Sequence, residues 1–284
     1  MRKKKSYINK KKLNICLLFV LMVVMLCGCM GQGQNGENKQ NKQENSTGLP
    51  VITVGCDDYS PFSYADANGE MTGIDVELAR EAFSRMGYYP KFTFINWENK
   101  KELLADGTID CIWSSFTMDG RDTEYKWAGP YMHSRQVVAV NPDSDIYTLQ
   151  DLEGKVIAVQ STTKPEEIIR SHDGTLPQLR KVISVQKRDL IFILLSKGYA
   201  DALAAHDTSV DQFTRDTGIH FRVLQEPLQS VELGVAFDIN DDRGIELKLT
   251  DTIHEMQKDG TVESIIKKYL SNAESYLEVG YEKN

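Results

Sequence analysis

The sequence predicts an α/β fold in which strands and helices alternate along the chain. Short apolar runs typical of buried strands recur at residues 51–55, 91–95, 109–113, 136–140, 156–159 and 200–204. Helical patterns separate these runs, and such alternation indicates mainly parallel sheets flanked by helices. Ligands then bind beyond the carboxyl ends of the strands, where the loops at 114–121 and 160–164 are expected.

Local signals define several elements in the first half of the chain. Asn68 and Gly69 form a tight-turn pair between two short strands and predict a hairpin. Asp75 stands where a helix N-cap is expected. The apolar residues that follow it at helical spacing are Val76, Ala79, Phe83 and Met86. A second, short helix is predicted at 101–105.

Two further signals concern helices in the second half of the chain. Thr163 and Glu166 have the spacing of a capping box at the start of a helix. The free N–H groups of that helix start could meet a ligand carboxylate. Two closing helices are predicted at 246–256 and 262–270.

The charge balance argues against nucleic acid as a partner. The chain has 284 residues, with 33 Lys+Arg against 41 Asp+Glu, and a formal net charge of -8. Seven basic residues and no acid lie within residues 1–28, so the remainder carries 26 basic against 41 acidic residues, a net of -15. A body this acidic repels polyanions over any extended footprint.

The N-terminus is typical of an exported lipoprotein. A basic start precedes twelve consecutive apolar residues at 15–26, which suit a signal peptide and fall short of the roughly 20 needed to span a bilayer. A short transmembrane anchor and a buried helix are the alternatives. Residues 26–29, Leu-Cys-Gly-Cys, resemble a bacterial lipobox. We therefore expect a signal peptide at 1–28, lipidation (palmitate) at Cys29 and a flexible tether over 29–49.

Two cysteines remain once the lipoprotein signal is taken into account. Cys16 and Cys27 leave with the signal peptide and Cys29 carries the lipid. Cys56 and Cys111 could form one disulfide in an exported protein. Cys56 ends one predicted strand and Cys111 begins another, so we expect two buried free thiols.

Six motifs in order carry a resemblance to a known family. They are residues 59–62 (YSPF), 73–78 (GIDVEL, with Ala82), 114–117 (SSFT, with Arg121), 152–155 (LEGK), 206–208 (HDT) and 259–261 (DGT). This pattern resembles the family 3 extracellular solute-binding proteins, the polar-amino-acid receptors of ABC importers. The resemblance spans about residues 50–272.

The resemblance implies a two-lobed fold of the type II periplasmic-binding-protein kind, with two hinge strands. Lobe 1 would comprise 50–135 and 232–272, lobe 2 would comprise 136–231, and 273–284 would form a C-terminal tail. The crossovers would lie near residues 135–136 and 231–232.

An amino-acid site needs a donor for the α-carboxylate and an acceptor for the ammonium. A planar two-pronged donor suits a carboxylate, which favours arginine over lysine. The resemblance assigns this role to Arg121, with Thr117 beside it, and the ammonium to Asp207. One residue fewer before Arg121 than in most relatives keeps Arg135 and Arg85 open as rivals. One extra residue between Asp201 and Asp207 leaves the register of Asp207 open.

The remaining candidates surround these two groups. The resemblance places Tyr59 and Trp97 against the ligand side chain, whereas Trp113 lies within a strand and is expected in the core. Ser114 and Ser115 are expected to contact the ligand through hydroxyl or carbonyl groups. At the mouth of the cleft we expect Gln160, Thr163 and Lys164, with Asp57 as a further candidate at the side-chain end.

The predicted function is capture of an amino acid and its delivery to an ABC transporter permease with its ATPase. We expect a monomer on the extracytoplasmic face of the cell membrane, held through the lipid anchor only, with no cofactor and no metal. Glutamine, histidine, basic amino acids and cystine all remain possible cargo.

Two other classes of function stay open. The chain shows no GxSxG, HExxH or CxxC motif and no metal-ligand spacing among its five histidines. A few relatives of this fold are secreted cyclohexadienyl dehydratases, so an enzyme of that kind is one alternative. A ligand-sensing module is the other.

Overall fold

A computed structural model describes residues 48–171, 174 and 176–277, all of which belong to one compact unit, 42–284. The predicted signal peptide (1–28), Cys29, the tether as far as residue 47 and the tail beyond residue 277 lie outside the described residues.

Strands and helices alternate as the apolar periodicity predicts. The strands are β1 (Val51–Cys56), β2 (Tyr64–Ala65), β3 (Met71–Thr72), β4 (Tyr89–Phe94), β5 (Cys111–Thr117), β6 (Tyr125–Val140), β7 (Val156–Gln160), β8 (Lys181–Val185), β9 (Ala202–His206), β10 (Arg222–Val223) and β11 (Gln229–Asp238). The α-helices are α1 (Ile74–Arg85), α2 (Lys100–Ala105), α3 (Lys164–Ser171), α4 (Asp189–Ser196), α5 (Asp207–Thr217), α6 (Ile245–Lys258) and α7 (Thr261–Lys267). Short 3₁₀ turns cover Trp97–Asn99, Leu149–Leu152 and Ala273–Tyr276.

Nine of the described strands form a mixed sheet in the order β4-β1-β5-β11-β6-β9-β7-β8, with β10 paired to β6. The outer strands are parallel, as expected: β1 lies between β4 and β5, and β7 lies between β8 and β9. The centre is antiparallel, since β11 runs antiparallel to β5 and β6, and β6 runs antiparallel to β9. Each of these two central strands therefore runs antiparallel to both of its neighbours in the main sheet order.

The two central strands join the two halves of the sheet. β11 pairs with β6 from Gln229 opposite Gln136 to Asp238 opposite Tyr125. The far part of β11 also pairs with β5, whereas the end of β6 from Gln136 to Val140 pairs with β9. β6 and β11 are therefore the two strands that connect the lobes, and their register shifts between Leu233 and Val235.

The apolar core is divided in the same way. One group of buried clusters packs β1, β5, α1, α6 and α7 together, and a second group packs β7, β9, α3 and α4. Each group has its own buried residues, so each half of the sheet has its own core. The predicted boundaries at 135–136 and 231–232 remain a prediction.

Two local predictions about helix starts were wrong. The N-cap of α1 is Gly73, not Asp75, and a Cβ at Gly73 would lie 2.3 Å from the Phe62 carbonyl oxygen. Asp75 instead lies inside the helix and is fully buried. At α3 the capping box does not form: the Thr163 hydroxyl donates to the Gln160 carbonyl at 2.6 Å, and Glu166 accepts from the N–H of Thr162.

Cys56 and Cys111 are buried free thiols, as predicted. The reasoning from strand ends needs correction, since Cys111 lies opposite Val54 and Cys56 is only two residues further along β1. Burial raises the pKa of both thiols above the ordinary cysteine value, and the charges of Asp75 on Cys56 and Asp110 on Cys111 add to this.

Candidate functional site

A cleft lies between the two halves of the sheet, at the ends of β5, β7 and β9. Its wall consists of residues contributed by both halves. They are Trp97, Ser114, Ser115, Phe116, Thr117, Arg121, Gln136, Gln160, Thr163, Lys164, Pro165, Arg188, Ile191, Ala204, Ala205 and His206. Clefts at the carboxyl ends of strands are where ligands bind in open α/β sheets.

Seven of the ten predicted ligand-binding residues line this cleft. They are Trp97, Ser114, Ser115, Thr117, Arg121, Gln160 and Thr163, and the mouth residue Lys164 lies beside them. The other three, Asp57, Tyr59 and Asp207, are not among the lining residues. That these residues contact a ligand remains a prediction.

The end of β5 is held in an unusual backbone conformation. Ser115 has a φ of 48°, in the left-handed region that non-glycine residues rarely adopt. Its N–H donates to the Asp75 carboxylate at 2.6 Å. Ser114 Oγ accepts from the N–H of Asp57 at 2.9 Å. These contacts fix the strand end that presents both serines to the cleft.

Asp75 is the buried support beneath that strand end. Burial raises its pKa to about 7, while the nearby Tyr131 hydroxyl and the Ser115 N–H oppose the rise. The helix-cap role predicted from the sequence would have placed this carboxylate at the surface. Its burial beneath Ser115 instead connects the 73–78 motif to the cleft wall.

Arg121 lies in the cleft with its guanidinium over the ring of Phe116, 5.0 Å from the ring centroid. Nη1 donates to the Thr117 carbonyl at 3.2 Å, and Nη2 contacts Glu167 on α3 at 3.1 Å. Of the rival arginines, Arg85 pairs with Glu81 and Asp259 on the surface, outside the cleft lining. A buried guanidinium with a half-exposed partner is well suited to exchange that partner for a ligand carboxylate.

Asp207 is engaged away from the cleft wall. Its Oδ2 accepts from Arg135 Nε at 2.9 Å, and its Oδ1 accepts from the N–H of Thr208. The neighbouring His206 faces the cleft instead, bonded to Ser134 Oγ at 2.8 Å and Gln136 Nε2 at 2.9 Å. Burial and the charges of Arg188 and Arg121 lower the pKa of His206 to about 3, so the imidazole is neutral at pH 7.

Arg188 is a lining residue that the sequence reasoning missed. Its guanidinium stacks 3.4 Å above the centre of the Tyr59 ring, and its Nη2 donates to Asp57 at 2.9 Å. Gln160 Nε2 donates to the same Asp57 oxygen at 2.8 Å. The available signal was position: Arg188 comes just after β8, at the carboxyl end of a parallel strand.

Aromatic rings form the wall on the Arg121 side. Trp97 meets Phe116 edge to face at 5.1 Å, and Lys100 lies 4.8 Å from the Trp97 ring centroid. Burial and the nearby charge of Arg121 lower the pKa of Lys100 to about 8. Trp113 lies in the core, as predicted. Tyr59 is buried beneath Arg188 rather than on the cleft surface.

Direct contacts across the cleft show a closed arrangement. Glu98 accepts from Ser161 Oγ at 2.7 Å, and Lys100 Nζ donates to Thr162 Oγ1 at 2.9 Å. The Asp57–Arg188 and Arg121–Glu167 pairs also join the first half of the sheet to the second. The two walls meet through polar and ionic contacts, and water could take the place of these contacts when the cleft opens.

A family model matches the stretch of sequence that contains the six motifs. The model for bacterial extracellular solute-binding proteins, family 3, matches residues 52–272. The chain belongs to this family. As a solute-binding protein of family 3, it has the expected architecture of two α/β lobes joined by two strands.

Curated relatives of this solute-binding protein are named as amino-acid-binding proteins. A putative amino-acid ABC transporter-binding protein, PatH of Vibrio harveyi, is 27% identical over 215 residues, covering 74% of this chain and 84% of the relative. The L-cystine-binding protein TcyJ of Escherichia coli is 28% identical over 215 residues, covering 74% and 79%.

Solved structures give the same fold. A mutant of the arginine-binding protein ArgBP of T. maritima superposes with a TM-score of 0.70 at 28% identity, covering 78% of this chain and 96% of that one. AncCDT-1, an ancestral amino-acid-binding protein and precursor of cyclohexadienyl dehydratase, gives 0.69 at 26% identity, covering 77% and 95%. Among the described residues of this solute-binding protein, no helix is long and apolar enough to cross a membrane.

Proposed function

We propose that this family 3 solute-binding protein captures an amino acid between its lobes and delivers it to an ABC importer. The observation that carries the proposal is Arg121, a buried guanidinium in the cleft whose carboxylate partner, Glu167, is 46% exposed. A fork-shaped cation of this kind binds a carboxylate through two parallel hydrogen bonds. The names of PatH, TcyJ and ArgBP as amino-acid-binding proteins support the same class of ligand.

Closure is the proposed mechanism. A ligand that touches Arg121 and Ser115 on one lobe and Gln160 or Lys164 on the other stabilises the closed state over the open one. Ligand binding then increases the population of the closed state, while the fold of each lobe stays the same. β6 and β11 would bend as the hinge, and the predicted lobe boundaries, 50–135 with 232–272 and 136–231, belong to this proposal.

The proposed cellular setting follows from the N-terminal sequence. Signal peptide 1–28 would direct export, Cys29 would carry the lipid, and the tether would hold a monomer near the permease and its ATPase on the extracytoplasmic face of the membrane.

Thermal unfolding of the protein, stripped of bound ligand, against the common amino acids and cystine tests the proposal. Ligand at 1,000 times its dissociation constant adds about 4 kcal/mol, or roughly 8 to 16 °C for a domain of this size. We expect one or two amino acids to give a shift of that order. A flat panel would contradict amino-acid capture.

A secreted dehydratase is the second candidate, favoured by the likeness to AncCDT-1, a precursor of such an enzyme. Incubation with excess prephenate or arogenate tests it, and absence of product would exclude this activity.

A further inference from the structure

The charged side chains on the cleft wall are all cations. Arg121, Lys164 and Arg188 line the cleft, and within the described residues no Asp or Glu belongs to the same lining. The rest of the molecule is acidic, since residues beyond 28 carry a net charge of -15. The wall therefore has the opposite sign to the body that surrounds it.

The carboxylates that pair with these cations are fewer, and neither belongs to the cleft lining. Glu167 is shared by Arg121 at 3.1 Å and Lys164 at 2.6 Å, and its side chain is 46% exposed. Asp57 pairs with Arg188. Three lining cations thus face two carboxylates, and one of the two is shared.

Arg188 is fixed in place but not fully bonded. Stacking on Tyr59 holds the plane of the guanidinium, and Asp57 contacts only Nη2. Nε of Arg188 is buried without a hydrogen-bond partner in the described part of the chain. A buried donor of this kind costs free energy unless an acceptor meets it, so it marks a place for an anion.

Two neutral amides on the cleft wall can accept hydrogen bonds from a ligand ammonium. Asp207 is held by Arg135, and the cleft-facing residue beside it is the neutral His206. Two other buried oxygens, Gln136 Oε1 and Gln160 Oε1, have no partner among the described residues. They can accept from an ammonium without adding negative charge to the wall.

From these contacts we propose that the cargo is an amino acid with a second carboxylate, such as glutamate or aspartate. Arg121 and Arg188 would each receive one carboxylate of the ligand, and the ammonium would meet the amide oxygens. This inference rests on the proposed function and narrows it. An amino acid with a neutral side chain would leave one of the two guanidiniums without a ligand carboxylate. A basic amino acid would add a cation to a cationic wall.

Calorimetric titration at pH 7 compares each acid with the amide of the same shape. The pairs are glutamate with glutamine and aspartate with asparagine, with arginine as the cationic ligand. We expect one acid to bind at least tenfold more tightly than its amide and than arginine. An amide or arginine that binds as tightly as the acids overturns this inference and leaves amino-acid capture standing. No binding by any amino acid overturns both.

Substitution of Arg188 tests the assignment of the second carboxylate. In Arg188→Gln the ratio of acid to amide affinity should fall at least tenfold, with Arg180→Gln, an exposed arginine outside the lining, as the matched control. Arg188→Lys keeps the charge and removes the fork, so it should also lower the ratio and serves if the Gln variant does not fold. A ratio unchanged in a folded Arg188 variant overturns the assignment.

Discussion

Arg121 and Arg85 illustrate how burial decides what an arginine can do. Both pair with carboxylates, yet Arg121 is buried against Phe116 and Arg85 lies on the surface. Solvent-exposed ion pairs contribute little free energy. A buried guanidinium that meets a ligand carboxylate instead forms charge-assisted hydrogen bonds, which contribute more to binding.

We therefore expect Arg121→Ala to weaken binding of the best amino-acid ligand by at least a hundredfold, since loss of two such bonds costs about 3 kcal/mol or more. Arg85→Ala is the matched control and should bind as the wild type does. Titration calorimetry measures both, and near-normal affinity in the Arg121 variant would refute the clamp.

Asp75 makes the stability depend on pH in an unusual direction. Its folded pKa of about 7 lies above the ordinary value of 3.8, because burial disfavours the charged form. Between these values the folded protein keeps a proton that the unfolded chain has lost. Asp75 therefore lowers stability as pH rises from about 4 to 7.

Asp75→Asn should remove this dependence. Relative to the variant, the wild type should lose up to about 4 kcal/mol between pH 4 and pH 7. Urea unfolding at several pH values measures the difference. Asp66, an exposed carboxylate whose pKa is lowered by the N–H groups of Glu70 and Asn68, supplies the control of opposite sign. Parallel pH profiles for wild type and Asp75→Asn would contradict the assignment.

At the level of elements, the start of α1 depends on a close approach between the backbone at Gly73 and the backbone at Phe62. Gly73 has a φ of 119°, and a Cβ there would lie 2.3 Å from the Phe62 oxygen. Gly69 also has a positive φ, 84°, but a Cβ there would meet nothing within 4 Å. The two glycines separate backbone strain from steric overlap.

Gly73→Ala should destabilise the protein by several kcal/mol, well beyond the roughly 1 kcal/mol expected for Gly69→Ala from backbone strain alone. Thermal unfolding of the two variants provides the comparison. Equal melting temperatures would show that the chain near Phe62 moves aside.

The sequence predicted secondary-structure elements better than contacts between residues far apart in the chain. Apolar periodicity located β1, β5 and α6 to within a few residues, because it records which face of each element is buried. It placed Asp75 at a helix cap, since a local pattern carries no information on a partner 40 residues away at Ser115. Arg188 was missed for the same reason: its stacking on Tyr59 joins residues far apart in the chain.

At the scale of the whole molecule, attachment and capture are separate properties. Among the described residues, those that line the cleft all lie beyond residue 96, whereas the proposed anchor is Cys29, at the start of the tether. We expect Cys29→Ser to move the protein from the membrane fraction to the soluble fraction, with ligand-induced thermal shifts unchanged. Fractionation and immunoblotting measure this, and a variant that stays in the membrane fraction would contradict the lipid anchor.

The two buried thiols have a practical consequence for following closure. Cys56 and Cys111 are inaccessible, and their raised pKa values keep them protonated at neutral pH, so maleimide reagents should react with them slowly. A pair of cysteines introduced at exposed sites on opposite lobes would then carry spectroscopic labels with little background from the described part of the chain. The distance between such labels would report opening and closing in real time.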